Sequence, residues 1–173
     1  MTRPRLLCSL FAAALTVSLA PGAAQAGPAV TYATMAHQYN ATAAAVNSTR
    51  ALVYTLYNNS TPTTIYPTFA VTMPLAFSFP NGASTTCPGT SVTTSPLYRS
   101  GSTALPYTTW YVDGQLTAAT PSCTITITVT SATEGTFSTC PTDISGYARV
   151  ILPPGCTSIR FAVAHPARVV SPS

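Results

Sequence analysis

Two histidines (His37, His165), three carboxylates (Asp113, Glu134, Asp143) and five cysteines are the side chains of this 173-residue chain that could carry acid, base, metal or redox chemistry. Hydrolysis needs an acid, a base or an activated nucleophile held in register, and the inventory for it is nearly empty. Asp113 stands in an Asp-Gly turn, Asp143 in the Pro141-Thr142-Asp143 loop and Glu134 in a Glu-Gly turn, while both histidines fall near chain ends. A Ser-His-Asp triad finds no supporting spacing, and no Gly-x-Ser-x-Gly elbow singles out one serine. The cysteines form no pair of close C-x-x-C motifs and both histidines are far from them, so no metal site is expected. The expectation is a chain without catalytic residues, metal or cofactor. The aromatic residues are more informative. Tyr98, Tyr107, Trp110 and Tyr111 cluster in sequence beside Arg99, and on one strand Trp110 and Tyr111 must face opposite ways. The outward members could stack against a cell-surface glycan or protein, with Trp110 expected in the core.

The elements that would position these residues belong to one domain. The composition is 46% hydrophobic and only 6% charged, which excludes a disordered chain. The net charge is +4, of which two charges are Arg3 and Arg5 in a segment expected to be removed; the remainder is too small for nucleic-acid binding. Residues 1–26 read as a secretory signal: two arginines, the apolar run Leu6–Ala20, the break at Pro21-Gly22 and the small-x-small site Ala24-Gln25-Ala26. Cys8 leaves with it, and no second run is long enough to span a membrane. The expected location is extracellular, at the cell surface or in a periplasm.

Export leaves Cys87, Cys123, Cys140 and Cys156, an even number in an oxidising compartment, so disulfides are expected. Three pairings are open. Chain order favours Cys87 with Cys123 and Cys140 with Cys156, because each pair then closes a local segment.

Cys123–Thr130 alternates apolar residues and threonine without exception, the pattern of a strand with one buried face. Ala51–Tyr57, Thr64–Met73 (interrupted by Pro67), Leu75–Phe79, Tyr107–Val112, Gln115–Thr117, Glu134–Ser138, Tyr147–Leu152 and Ser158–Ala164 complete seven to nine short strands. Pro80-Asn81-Gly82 marks a turn, and Asp113-Gly114 predicts a type I′ hairpin. Met35–Val46 allows at most one short helix. Strands of this length and spacing predict an all-β sandwich, with a closed barrel as the alternative. The domain reading is 1–26 signal peptide, 27–48 N-terminal segment or first strand, 49–164 β-sandwich and 165–173 flexible tail. Four Asn-x-Ser/Thr triplets begin at Asn40, Asn47, Asn58 and Asn59, which would be glycan acceptors in a eukaryotic secretory pathway.

From Thr49 to Ser138 a series of parts occurs in order: Leu52–Tyr57 leading to Asn58-Asn59, the element Met73-Pro74-Leu75, the segment Thr86-Cys87-Pro88-Gly89, the Ser122–Ser131 strand and then Gly135-Thr136-Phe137. This run resembles the bacterial surface-exposed repeat modules of the DUF11 type and their relatives. The resemblance implies a disulfide-stabilised, immunoglobulin-like antiparallel β-sandwich at the cell surface, present here once and without catalytic activity. The expected function is a secreted structural or adhesive module. The alternative is a subunit of an exported pilus- or coat-like polymer, self-associating when residues Gly27–Thr49 add a strand to the next copy. A small secreted hydrolase is the third reading.

Overall fold

A computed structural model of the chain describes residues 31–60, 62–95 and 109–163. The signal segment, Tyr98, Arg99, Tyr107, His165 and the tail 165–173 lie outside the described residues. Within them the chain runs through β1 (Ala33–Tyr39), β2 (Ala43–Ala45), β3 (Arg50–Asn58), β4 (Thr68–Thr72), β5 (Phe77–Ser78), β6 (Ala83–Thr85) and β7 (Ser91–Ser95). It continues through β8 (Thr109–Asp113), β9 (Ser122–Ser131), β10 (Gly135–Thr139), a 3-10 turn at Pro141–Asp143, β11 (Ile144–Ala148), β12 (Val150–Ile151) and β13 (Thr157–Ala162). The fold is an all-β, immunoglobulin-like sandwich with two disulfides.

The first sheet is organised by β3, which pairs antiparallel with β1 on one side and β9 on the other. The period-2 pattern of both long strands is obeyed. Leu52, Tyr54 and Leu56 of β3 and Cys123, Ile125, Ile127 and Val129 of β9 all point into the core. β12 adds in parallel at the outer edge of β1, and β5 and β6 follow one another along the other edge of β9. The Pro80-Asn81-Gly82 turn joins β5 to β6, with Gly82 at φ +63° and its N–H bonded to the Phe79 carbonyl at 3.2 Å.

Two further sheets form the opposing layer: β11, β4, β8 and β7 in that order, and β10, β13 and β2. Aromatic rings join the layers, Tyr54 with Phe69 at 5.7 Å between centroids and Phe77 with Phe161 at 6.1 Å. The disulfides link Cys87 to Cys123 and Cys140 to Cys156, the two local closures. The first is buried in the core; the second lies at the surface, where Cys156 is exposed.

Several local expectations are corrected. Met35–Val46 holds no helix. Ala33, Met35 and Tyr39 alternate into the core from β1, and Ala43–Ala45 pairs in parallel with β13, so partners in the sheet override the helix preference of alanine. Asp113-Gly114 is not a hairpin turn. The chain passes straight through it, because Thr68 opposes Asp113, Gly114 N–H donates to Pro67 O at 2.9 Å, and Ile65 and Leu116 bridge in the same register. Gly114 suits that place because a Cβ would come within 3.2 Å of the Pro67 carbonyl. Pro67 sits just before β4, beyond the last β11 pairing at Ala148 and Thr68, where its missing N–H costs no ladder bond. Tyr147–Leu152 is two strands in different sheets, divided at Arg149, whose φ is +55°. Such divisions raise the count of strands above the nine expected.

Candidate functional site

His37, Asp143 and Glu134, three of the groups able to do acid–base chemistry, are engaged with backbone. His37 is half-buried on the core side of β1, its ring stacked on Tyr54 at 5.6 Å and 11°, and its Nε2 donates to the Thr139 carbonyl at 2.9 Å. Although it falls near one end of the chain in sequence, His37 is a packed residue of a paired strand. The Asp143 carboxylate accepts the Cys140 N–H at 2.7 Å, closing the 3-10 turn, and the Glu134 carboxylate accepts the Val163 N–H. Tyr39, buried against Thr139, has its pKa pushed up to about 12, chiefly by burial; the Thr139 hydrogen bond opposes the shift and the Asp143 charge adds to it. Burial likewise raises Tyr54 well above the ordinary phenol value. Among the described residues no three His, Cys, Asp or Glu side chains gather as metal ligands would.

Asp113 is the carboxylate that faces open space. It ends β8 on the outer face of the sheet β11-β4-β8-β7, in a groove of about 370 Å³. Sheet register builds the groove. Tyr111 and Asp113 are two residues apart on β8 and share a face. Across the strands Tyr111 stands between Ala70 and Thr93, and Asp113 between Thr68 and Ser91. Ala70 also opposes Ser145 of β11, so its small side chain forms a low floor between taller neighbours. β11 shifts register between Ser145 and Ala148, with Gly146 at φ +56° lining the groove and Tyr147 54% exposed beside it.

Of the aromatic residues singled out in the sequence, Trp110 and Tyr111 lie within the described residues, and they part company as strand geometry requires. Tyr111 is 46% exposed in the groove. Trp110 is 6% exposed, edge-on to Phe79 at 5.4 Å, and belongs to the core, so it offers no binding surface. Ser145 and Gly146 were missed by sequence reasoning. A glycine inside a strand pattern, here in Ser145-Gly146-Tyr147, was the available signal for a bulge. A second hollow of about 350 Å³ lies at β10 and β13 between Glu134 and Arg160, but the Glu134 carboxylate there is already held by Val163.

The model of a family described as a domain of unknown function, DUF7933, matches residues 33–149. No curated protein matches the chain. Among solved structures, a cohesin module from a Clostridium perfringens family 33 glycoside hydrolase superposes with a TM-score of 0.55 at 11% identity, covering 78% of this chain and 99% of that one. A non-cellulosomal cohesin from the hyperthermophilic archaeon Archaeoglobus fulgidus gives a TM-score of 0.48 at 7% identity, covering 75% and 91%. At 11% identity the first likeness is one of fold, an all-β sandwich.

Proposed function

The chain belongs to the DUF7933 family of domains of unknown function, and on that premise we propose that it is a secreted, noncatalytic surface module that adheres through the outer face of the sheet β11-β4-β8-β7. The observation that carries this reading is the groove, which presents a half-exposed tyrosine and an exposed carboxylate over a floor of small residues. The remaining described acids and His37 are spent on backbone hydrogen bonds that hold loops and strands together. Export is supported by the signal-like residues 1–26 and by two disulfides, which persist in oxidising compartments. Kinship with DUF11-type surface modules is part of the same reading and rests on the order of the motifs from Thr49 to Ser138. The cohesin likeness supports a sandwich scaffold and contributes nothing on partners.

A polymer assembled by strand addition is less favoured. Its donor would be the segment Gly27–Thr49, yet within that segment β1 is paired on both edges, with β3 and β12. The decisive experiment incubates the labelled, purified protein with cell-envelope fractions. Retention without release of hydrolysis products, reduced when Ala70→Trp fills the groove, supports adhesion; turnover, or no retention at all, rejects it.

A further inference from the structure

We infer that the groove on β4 and β8 binds a neutral saccharide chain; this rests on the adhesive reading above and specifies its ligand. The lining is a pattern of side chains set by register. Thr93, Tyr111, Ala70 and Ser145 form one row across four strands, and Ser91, Asp113 and Thr68 form the next. An aromatic ring therefore stands beside a carboxylate with hydroxyl groups on adjacent strands. A hydroxyl both donates and accepts, a carboxylate accepts, and the flat of a tyrosine ring is apolar. A sugar ring presents the complement: an apolar C–H face to stack on the ring, and a rim of hydroxyls that donate and accept in turn.

Other occupants fit the same lining less well. An anionic ligand would find no Arg, Lys or His among the described residues that line the groove. A basic segment would find Asp113 alone, exposed, where an ion pair is screened and contributes little, on a chain that is itself net positive. An extended peptide could not pair with the strands under the groove, because the backbone of β4 and β8 is already paired on both sides; strand addition would be confined to the edge strands β7 and β11, away from Tyr111 and Asp113. The hollow is open and its floor is Ala70, so it lacks the deep apolar pocket that anchors a helix.

The test titrates the full exported chain with cellohexaose, xylohexaose, maltohexaose and hexa-N-acetylchitohexaose, and separately with poly-L-lysine, following heat or tyrosine fluorescence. Variants are Tyr111→Ala, Tyr111→Phe, Asp113→Asn and Ala70→Leu, all read beside an unfolding curve to show that each folds. The expected result is binding of at least one oligosaccharide, little affected by salt. Tyr111→Ala and Ala70→Leu should weaken it about tenfold or more, while Tyr111→Phe keeps it. Failure to bind any of the four sugars while envelope adhesion persists overturns the saccharide inference and leaves the adhesive reading standing. Salt-sensitive poly-L-lysine binding that Asp113→Asn abolishes, without sugar binding, overturns it in favour of a cationic ligand. Loss of all adhesion removes both readings.

Discussion

The phenolic oxygen of Tyr39 lies 2.8 Å from the hydroxyl of Thr139, and both residues are buried. Tyr39 ends β1 and Thr139 ends β10, immediately before Cys140 and its disulfide to Cys156. The contact, with His37 on the Thr139 carbonyl, ties the first sheet to the disulfide-closed segment of the opposing layer.

Removing that hydroxyl should destabilise the fold. Tyr39→Phe keeps the ring edge-on to Phe77 but leaves the buried Thr139 hydroxyl without its partner, a loss of about 1–2 kcal/mol in urea or thermal unfolding. Tyr54→Phe is the control with the opposite expectation. The Tyr54 hydroxyl is buried and finds no hydrogen-bond partner among the described residues, so deleting it should be neutral or stabilising by up to about 1 kcal/mol while the His37 and Phe69 ring contacts remain.

Stability should fall in alkali. Folding raises Tyr39 from 10.0 to about 12 and moves Tyr54 in the same direction, both mainly by burial, so the folded state holds protons that the unfolded chain releases. The contribution is complete below pH 10 and is lost as pH rises from 10 toward 12. Urea unfolding at pH 8, 9, 10 and 11 should show a decline above 10 that is shallower in the Tyr39→Phe, Tyr54→Phe double variant.

The two disulfides should open in order. Cys140–Cys156 is partly exposed and Cys87–Cys123 is buried, so mild reductant followed by alkylation should label Cys140 and Cys156 first in peptide mapping. Removal by paired Cys→Ala changes should rank the other way. Sequence separations of 36 and 16 correspond, in the chain-entropy model, to about 4 and about 3 kcal/mol of lost stability.

Truncating Ile127 should be costly and informative about the core. It is fully buried on the central strand β9 between β3 and β6, and Ile127→Ala should cost about 2–5 kcal/mol. Thr126→Ala, next to it on the opposite face, should change unfolding by less than about 1 kcal/mol, since that face is not part of the core.

What was legible in the sequence was what is local. The alternation of Cys123–Thr130 and the apolar face of Ala51–Tyr57 mark their own strands, because successive side chains on an extended chain point to opposite sides whatever the neighbours are. The same rule separated Trp110 from Tyr111. Asp113-Gly114 misled because a type I′ turn and a straight crossing opposite Pro67 both favour a glycine, and the choice was made by the partner strand. Met35–Val46 misled for a related reason. Alanine favours helix when alone, and here two sheets offered edges to pair with.

By itself the sequence determined an all-β domain, the core faces of its two longest strands and an even set of cysteines free to form disulfides, since each depends on periodicity or composition within one stretch of chain. Only the tertiary structure decided that Tyr111 and Asp113 look out over Ala70, with Thr93 and Ser91 on the far side and the Ser145 bulge opposite. Those residues lie on four strands far apart in the chain. Cross-strand register, which depends on how the whole core packs, is what brings them to one face.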